Sequence, residues 1–437
     1  MRQRSLREPA ASQSNRNIQY RAHVASLLTA CLLSMLCAWS AGVTAEAVPL
    51  TFKEAVVLAV SRADPTLIRH DERAAALENR ALAAAQLPDP EVQFGFANWP
   101  VDSFDYDQEP MTQIQVGLRQ RFPRGDTLSI LGARRESEAQ LERARRTLRL
   151  REIARATRDA WLELYYLSHA RDVVDASRLT VAELVDVVRA SFATGLQNNQ
   201  DLLRAELELS LLDDRALEIE RLIQRRRADL GSLIGEPAAA RNVARALPSW
   251  PALPRLETID GLIVNHPAVA VEDAAITGRE HDVSLAHEQY DPGWALEAGY
   301  GMRSGGRADF ASVMVTVEVP IFTDKRQDRE LAASEQERAA AILNRDAILL
   351  SLRRQARHAL ADAERFTERV ALYREIVVDR ADGTAAAALD SYQSQVADFA
   401  ELIRSRLAVL DTGLKLKRLE ADLGKAYADL AYLLGER

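Results

Sequence analysis

A chain of 437 residues with 47% apolar and 27% charged side chains can bury a large core, and by length could hold about three ordinary domains. Two cysteines are too few for a disulfide scaffold, and 56 basic against 64 acidic residues leave a formal charge of −8. No basic block lies outside the first segment, which excludes a nucleic-acid surface.

In that first segment Arg2, Arg4, Arg7, Arg16 and Arg21 precede an apolar run from Val24 to Trp39, then small residues at Ala41, Gly42, Ala45 and Ala47. This is the pattern of a secretory signal peptide over residues 1 to 45, with cleavage expected after Ala45 or Ala47. Leu28 to Cys31 also reads as a lipoprotein box, which would make Cys31 a lipidation site, but the longer apolar run follows Cys31 rather than preceding it. Cutting after Ala45 removes five Arg and one Glu, leaving 51 basic and 63 acidic side chains, a net −12, and no cysteine. Beyond the leader no uncharged apolar stretch is long enough for a spanning helix, so a membrane would have to be entered by strands.

The mature chain is written twice. Residues 228 to 236, ADLGSLIGE, return as ADLAYLLGE at 428 to 436, and the heptad seam Leu202, Ala205, Leu209, Leu212, Ala216, Ile219, Ile223 has its counterpart in Leu402, Ser405, Val409, Thr412, Leu416, Leu419, Leu423. Asp64 and Pro65 match His266 and Pro267, and Asp89 and Pro90 match Asp291 and Pro292, at an offset of 202. This divides the chain into repeats at 46 to 235 and 257 to 437, joined by a connector at 236 to 256 punctuated by Pro237, Pro248, Pro251 and Pro254. Each seam leaves an apolar stripe that one hairpin cannot cover, so the copies are expected side by side.

In copy one, the pattern predicts a helix over 50 to 86, begun by a capping box of Thr51 and Glu54 and stopped by Pro88 and Pro90. Asp126 is the expected cap of a second helix, 127 to 194, about 100 Å long at 1.5 Å per residue. A turn at 195 to 200 leads to a returning helix, 201 to 234, stopped by Gly235. Copy two repeats this at 257 to 287, 325 to 392 and 400 to 434, with Asp382 and Gly383 interrupting its long helix. Between the helices the period becomes 2. Val92, Phe94 and Phe96 alternate with polar or small residues, as do Ile114, Val116 and Leu118; in copy two so do Trp294, Leu296, Tyr300 and Met302, then Val313, Val315, Val317 and Val319. These are two hairpins, about 91 to 122 and 294 to 322, with strands of nine or ten residues.

Apolar-out, polar-in strands of that length suit a membrane barrel, in which every backbone amide is paired and no edge is open. Four strands cannot close one. Two copies would supply eight strands and three would supply twelve, so the chain must associate with itself.

The sequence resembles the TolC family of outer-membrane efflux and secretion ducts over the mature chain. The matching stretches are LTFKEAVVLAVSRADPTL at 50 to 67, AAAQLPDPEVQFGF at 83 to 96, VGLRQRFPRGDTLS at 116 to 129, TGLQNNQDLLRAELEL at 194 to 209 and PIFTDKRQDRELAA at 320 to 333. The LPDP segment, NWPVD at 98 to 102 and KRQDREL at 325 to 331 resemble most the branch serving heavy-metal cation efflux of the resistance-nodulation-division type. The resemblance implies a mostly α fold with a small transmembrane β part. It implies a homotrimer whose twelve-stranded barrel in the outer membrane of a Gram-negative bacterium continues as a periplasmic α-helical barrel, docked to a periplasmic adaptor and an inner-membrane pump. It also implies no catalysis and no cofactor.

Helix-hairpin tips form the family's periplasmic entrance, and GLQNNQDLLRA at 195 to 205 matches the tip pattern. Gly195 and Asp201 are therefore tip candidates in copy one, with Gln395 and Glu401 their equivalents in copy two, where the glycine is lost. Asp201 and Glu401 could ring the mouth with negative charge, or simply favour the first turn of a returning helix. Gln93, Gln113, Gln115, Arg119, Glu297, Thr316 and Glu318 are the barrel-lumen candidates. No metal site is expected: His23 leaves with the leader, His281 and His287 lie six apart on nearly opposite helix faces, and His169, His266 and His358 have no partnered spacing. Gly305 and Gly306 lack the Lys and Ser or Thr of a phosphate loop. The competing readings are the same duct for drugs or type I protein secretion, a periplasmic coiled-coil adaptor, and, last, an envelope enzyme.

Overall fold

The computed structural model describes residues 48–194 and 198–435. The leader, including Cys31, lies outside the described residues.

The continuous helix expected over 50 to 86 is two helices, α1 (Phe52–Ser61) and α2 (Pro65–Ala84). Thr51 and Glu54 do form the capping box of α1. Pro65 then ends it, because proline has no N–H to donate and holds the residue before it extended. Asp64 sits at ψ 127° and restarts the helix by accepting the Thr66 N–H at 2.7 Å. Copy two is broken likewise after the short helix α5 (Glu236–Ala239), into α6 (Leu256–Ile263) and α7 (Pro267–Glu288).

There the cap is His266, whose Nδ1 accepts the Ala268 N–H at 3.1 Å while its Nε2 is buried without a partner. Burial, helped by the nearby Arg151 charge, lowers the His266 pKa to about 4. An imidazole that stays neutral when folded but protonates near 6.5 when unfolded contributes stability in full above pH 6.5, and loses it as pH falls toward 4. The slope is about 1.4 kcal/mol per pH unit within that window. We expect His266→Asn, which keeps a capping oxygen, to flatten the fall in urea midpoint between pH 6.5 and 4.5; an unchanged fall would show that other groups carry it.

The long helices match between copies. Helix α3 (Thr127–Ala193) has 67 residues, and copy two covers 327 to 393 with α8 (Gln327–Leu372), a π turn (Tyr373–Val377) and α9 (Val378–Gln393). The returning helices α4 (Asn199–Ile234) and α10 (Phe399–Leu434) have 36 residues each, again 200 positions apart. The expected interruption at Asp382 and Gly383 is not there: both lie inside α9, and the break in α-helical bonding is the π turn about six residues earlier. Asp126 does not cap α3 with its side chain. Its own N–H is satisfied instead by Glu288 Oε2 of copy two at 2.6 Å.

The strands are β1 (Glu91–Ala97), β2 (Gln113–Phe122), β3 (Gly293–Arg303) and β4 (Phe310–Glu318). Strand β1 has only seven residues, because the chain turns at Asn98 with φ 56°. The two hairpins join through β2 and β3 into one antiparallel sheet in chain order, so β1 and β4 each keep an open edge.

One core joins the copies, with Trp161, Leu164, Leu212 and Leu230 of copy one packed with Leu402, Leu410 and Ala421 of copy two. Charges run along the same seam. Glu163, nearly buried, lies against Lys425 and accepts from Arg418 at 3.0 Å, while Glu420 accepts from Arg374 at 2.6 Å, Lys417 at 3.0 Å and the Tyr165 hydroxyl at 3.2 Å. Burial raises the pKa of both carboxyls, but their cationic partners outweigh it and hold both below the ordinary value. The connector is less superficial than its prolines suggest. Val243 bridges to Leu50, and Trp250 stacks on Tyr427 at 5.0 Å and meets Phe52 edge-on at 5.7 Å.

Candidate functional site

Two regions concentrate the candidate residues. The first is the sheet. Its pairing puts Val92, Leu118, Ala298 and Val313 in one row, and Phe94, Val116, Tyr300 and Ala311 in another, so the apolar side chains of all four strands share one face. That face is bare: Val92 is 74% exposed, Phe94 67%, Val313 75% and Val315 59%. At its lower end Phe122 and Trp294 stack at 4.0 Å, and at its upper end Phe94, Phe96, Trp99 and Tyr106 form a chain of ring contacts. Gln120, the polar exception on this face, ties its amide to the Pro88 carbonyl at 2.9 Å.

The opposite face carries all seven lumen candidates. Glu91, Arg119 and Glu297 are direct cross-strand partners; Gln93 opposes Gly117, Gln115 opposes Gly95 and Gly301, Gln113 opposes Ala97 and Arg303, and Thr316 opposes Ala295. Glu318 pairs with Arg124 at 3.0 Å and Glu91 with Arg121 at 2.6 Å. Phe310 and Met314 are the apolar exceptions. Glycines at 95, 117, 299 and 301 keep this side thin. A Cβ on Gly301 would collide with the Gln113 amide, and one on Gly299 would lie 2.8 Å from Ser312 Oγ, so side chains here alternate with gaps. The face can hold water and ions against amides and paired charges, and offers no enclosed pocket.

The second region is the pair of helix-hairpin tips. Asn198 caps α4 by accepting the Asp201 N–H at 2.9 Å, and Asp398 caps α10 by accepting the Glu401 N–H at 2.8 Å. Asp201 and Glu401 thus occupy the same third position of the first turn, because α4 begins two residues before its expected start at 201 and α10 one residue before its expected start at 400. Glu401 pairs with Arg404 at 2.7 Å. Burial, and after it the Asp201 charge of copy one, push the Tyr392 phenol up. Tyr392 in turn meets the buried Phe399 ring at 6.0 Å. Gly195 lies outside the described residues.

Gln395 takes the conformation a glycine would take, φ 58°, and closes α9 with its N–H on the Tyr392 carbonyl at 3.0 Å while the Val396 N–H reaches Ser391 at 2.9 Å. A left-handed L-residue costs roughly 1–2 kcal/mol, partly offset in a glycine by its larger unfolded-state entropy. Gln395→Gly is therefore expected to stabilise the tip by about 0.5–1 kcal/mol. Slower amide exchange in the last turn of α9 would record it; faster exchange would show that the glutamine side chain contributes more than the strain removes.

Among the described residues no three His, Cys, Asp or Glu side chains gather as a metal site. Three histidines have structural contacts: His70 Nδ1 lies 2.7 Å from the buried Glu142, His169 contacts its own helix at Tyr165, and His266 is a cap. Among the described residues no helix is long and apolar enough to cross a membrane.

Compared with solved structures, the chain superposes on the outer membrane protein VceC of Vibrio cholerae with a TM-score of 0.71, at 16% identity over 88% of this chain and 96% of that one. The fold is that of bacterial outer-membrane channels. It also matches the CmeC outer membrane channel of Campylobacter jejuni (TM-score 0.73, 12% identity, 88% and 85% covered) and the MtrE outer membrane channel of Neisseria gonorrhoeae in its open state (0.66, 15%, 88% and 88%). No protein-family model and no curated protein sequence matches. The channel fold accounts for a sheet with a bare apolar face and two open edges, which a self-contained soluble domain would cover.

Sequence reading missed Tyr392, Arg404, the caps Asn198 and Asp398, and the Glu163 and Glu420 ion-pair seam. The caps were legible, since Asn198 and Asp398 each stand three residues before an acid. Tyr392 and the seam were not, because they depend on how one copy lies against the other.

Proposed function

We propose that this chain is the outer-membrane component of a tripartite efflux pump, a passive exit duct fed by an inner-membrane transporter through a periplasmic adaptor. The observation that carries the proposal is the four-stranded sheet, bare and apolar on one face, polar on the other, and open at both edges. In lipid the apolar face needs no cover, and identical copies that pair β4 with β1 remove both edges. Three copies give the twelve-stranded barrel of the TolC-like reading, with the long helices extending into the periplasm as a tunnel. Gln93, Gln113, Gln115, Arg119, Glu297, Thr316 and Glu318 then line the water-filled lumen, and Asp201, Gln395 and Glu401 surround the periplasmic mouth. The duct performs no chemistry; the inner-membrane partner supplies the energy and chooses the substrate. The motifs at 83 to 96 and 325 to 331 favour heavy-metal cations as cargo. Drug or polypeptide cargo would use the same wall, so cargo is decided by comparing metal-salt and drug sensitivity of a deletion strain.

The test is to extract the protein from membranes in detergent, measure its mass, and reconstitute it in a planar bilayer. A three-chain particle with stable conducting steps is expected, and a lipid-free, non-conducting monomer would refute the reading. Neutralising the mouth with Asp201→Asn and Glu401→Gln should loosen the closed entrance and raise single-channel conductance. Unchanged conductance would reduce both acids to helix-start residues.

A further inference from the structure

Close to the sheet, residues of α3, α7 and α8 line a crevice of about 560 Å³. Most of its charges are spent on each other: Asp282 accepts from Arg134 at 2.7 Å and from Arg279 at 3.1 Å, and Glu337 accepts from Arg279 at 2.7 Å. What remains is a set of donors. Gln327, the first residue of α8, is only 2% exposed, and its amide nitrogen is buried without a partner. The amide oxygen accepts from Arg326 Nε at 3.3 Å, so turning the group over would set N–H against N–H; the orphan is a donor. Gln289, which also lines the crevice, is committed in the same way, its oxygen accepting from Arg124 at 3.2 Å and its NH2 left to donate. No side chain caps α8, and the exposed Arg326 stands at its start, so the positive end of a 46-residue helix meets a guanidinium here.

Copy one fills the equivalent place with a carboxylate, since Glu288 Oε2 accepts the N–H of Asp126, the residue before α3, at 2.6 Å. Copy two has no counterpart. The residue 202 positions before Glu288 is the neutral Gln86, Arg326 stands where copy one has Asp126, and the Arg326 N–H turns to the Thr323 carbonyl at 3.1 Å.

We propose that the crevice is a site for one phosphate-type oxyanion, held by the Gln327 and Gln289 amide NH2 groups, the Arg326 guanidinium and the start of α8. A cation would meet the same donors head-on, and an apolar ligand would leave the Gln327 nitrogen as costly as it is now. Glu330, exposed and without an ion-pair partner among the described residues, is the one lining carboxylate that opposes the anion. Gln289 stands four residues before β3 and Gln327 nine after β4, so a lipid headgroup at the edge of the proposed barrel and free phosphate are the two sources of this chemistry. The site is built within one chain and stands apart from the duct reading.

The test uses the full chain, purified in phosphate-free detergent. Inorganic phosphate at constant ionic strength should raise the thermal midpoint, because a ligand bound only by the folded chain stabilises it. Calorimetry should give a binding constant that Gln327→Met and Arg326→Gln each weaken by about tenfold or more, the effect of losing one hydrogen bond to a charged group, and that Glu330→Gln tightens. Without phosphate, Gln327→Met should unfold no sooner than the unaltered chain, since it removes a buried donor that nothing pairs, so lost binding there is not lost folding. Phosphatidylglycerol in mixed micelles is the second probe. A response to it alone that Gln327→Met abolishes assigns the site to a lipid headgroup, and a response to inorganic phosphate that Gln327→Met abolishes assigns it to the free anion; each supports the site. No response to either probe, a response that Gln327→Met leaves unchanged, or an equal response to chloride would overturn it. Protein that conducts in a bilayer yet binds neither probe would overturn the site and leave the duct reading intact.

Discussion

Replacing Trp161 with alanine is expected to cost about 3–5 kcal/mol, the range for deleting a fully buried aromatic side chain whose site cannot collapse. Trp161 is 0% exposed and sits where three separate stretches of chain meet. Phe52 of α1 packs edge-on against its ring at 5.4 Å, Tyr165 stacks at 5.9 Å, and its indole N–H donates to the Leu50 carbonyl at 2.9 Å. Leu50 is itself held by the connector, its N–H on Asn242 at 2.8 Å and its carbonyl accepting the Ala244 N–H at 2.9 Å. The one side chain therefore fastens the segment before α1 and the connector to the middle of the long helix. Trp161→Phe should cost much less. It keeps most of the ring, and the Leu50 carbonyl retains Ala244, so only about 1 kcal/mol of hydrogen bonding is lost beyond the missing volume. Urea unfolding of the purified protein followed by helical circular dichroism gives both numbers. Equal costs for the two variants would mean that the indole bond, not the packing, holds the junction.

What the sequence made legible was periodic, and what it hid was relational. The duplication, both long helices, the returning helices and the two faces of the strands follow from spacing alone, because a side chain's direction repeats every 3.6 residues in a helix and every two in a strand. The breaks at Asp64 and His266 were visible as residues before a proline, yet the continuous apolar pattern across them read as one helix. The π turn at Tyr373 left no comparable mark, since nothing in YREIV differs in kind from the regular helix around it. Asp126 looked like a cap and is not one: its backbone, at φ −93° and ψ 18°, is not in the extended conformation from which a capping side chain reaches the first turn. The candidate lumen residues were legible as a face. The tip was half legible: its acids stood out, whereas Tyr392, whose phenol feels the Asp201 charge, sits at the end of the other copy's long helix.

The bare face of the sheet supports the second large expectation. Val313 is 75% exposed, directly opposite Ala298 in the central strand β3, and about midway along an apolar row that runs from Ala311 to Val317. If that row crosses lipid, Val313→Arg places a charge near the bilayer midplane and should cost about 2–4 kcal/mol, while the same change at Val319, beyond the end of β4, should cost about 0–1. Thr316 lies on the other face, opposite Ala295, and Thr316→Arg should be nearly neutral because water reaches it there. In a soluble sheet the order would be different. Val313 is already solvent-exposed in the single chain, and an arginine there would be harmless or helpful to solubility. The sign of the difference thus separates the two accounts without any knowledge of cargo or partners. The measurement is the fraction of each variant recovered as heat-resistant oligomer in the outer membrane at matched expression. Loss at Val313 with retention at Thr316 and Val319 is the pattern lipid imposes. Equal recovery of all three would mean that the apolar face meets water rather than lipid, and the duct would lose its wall.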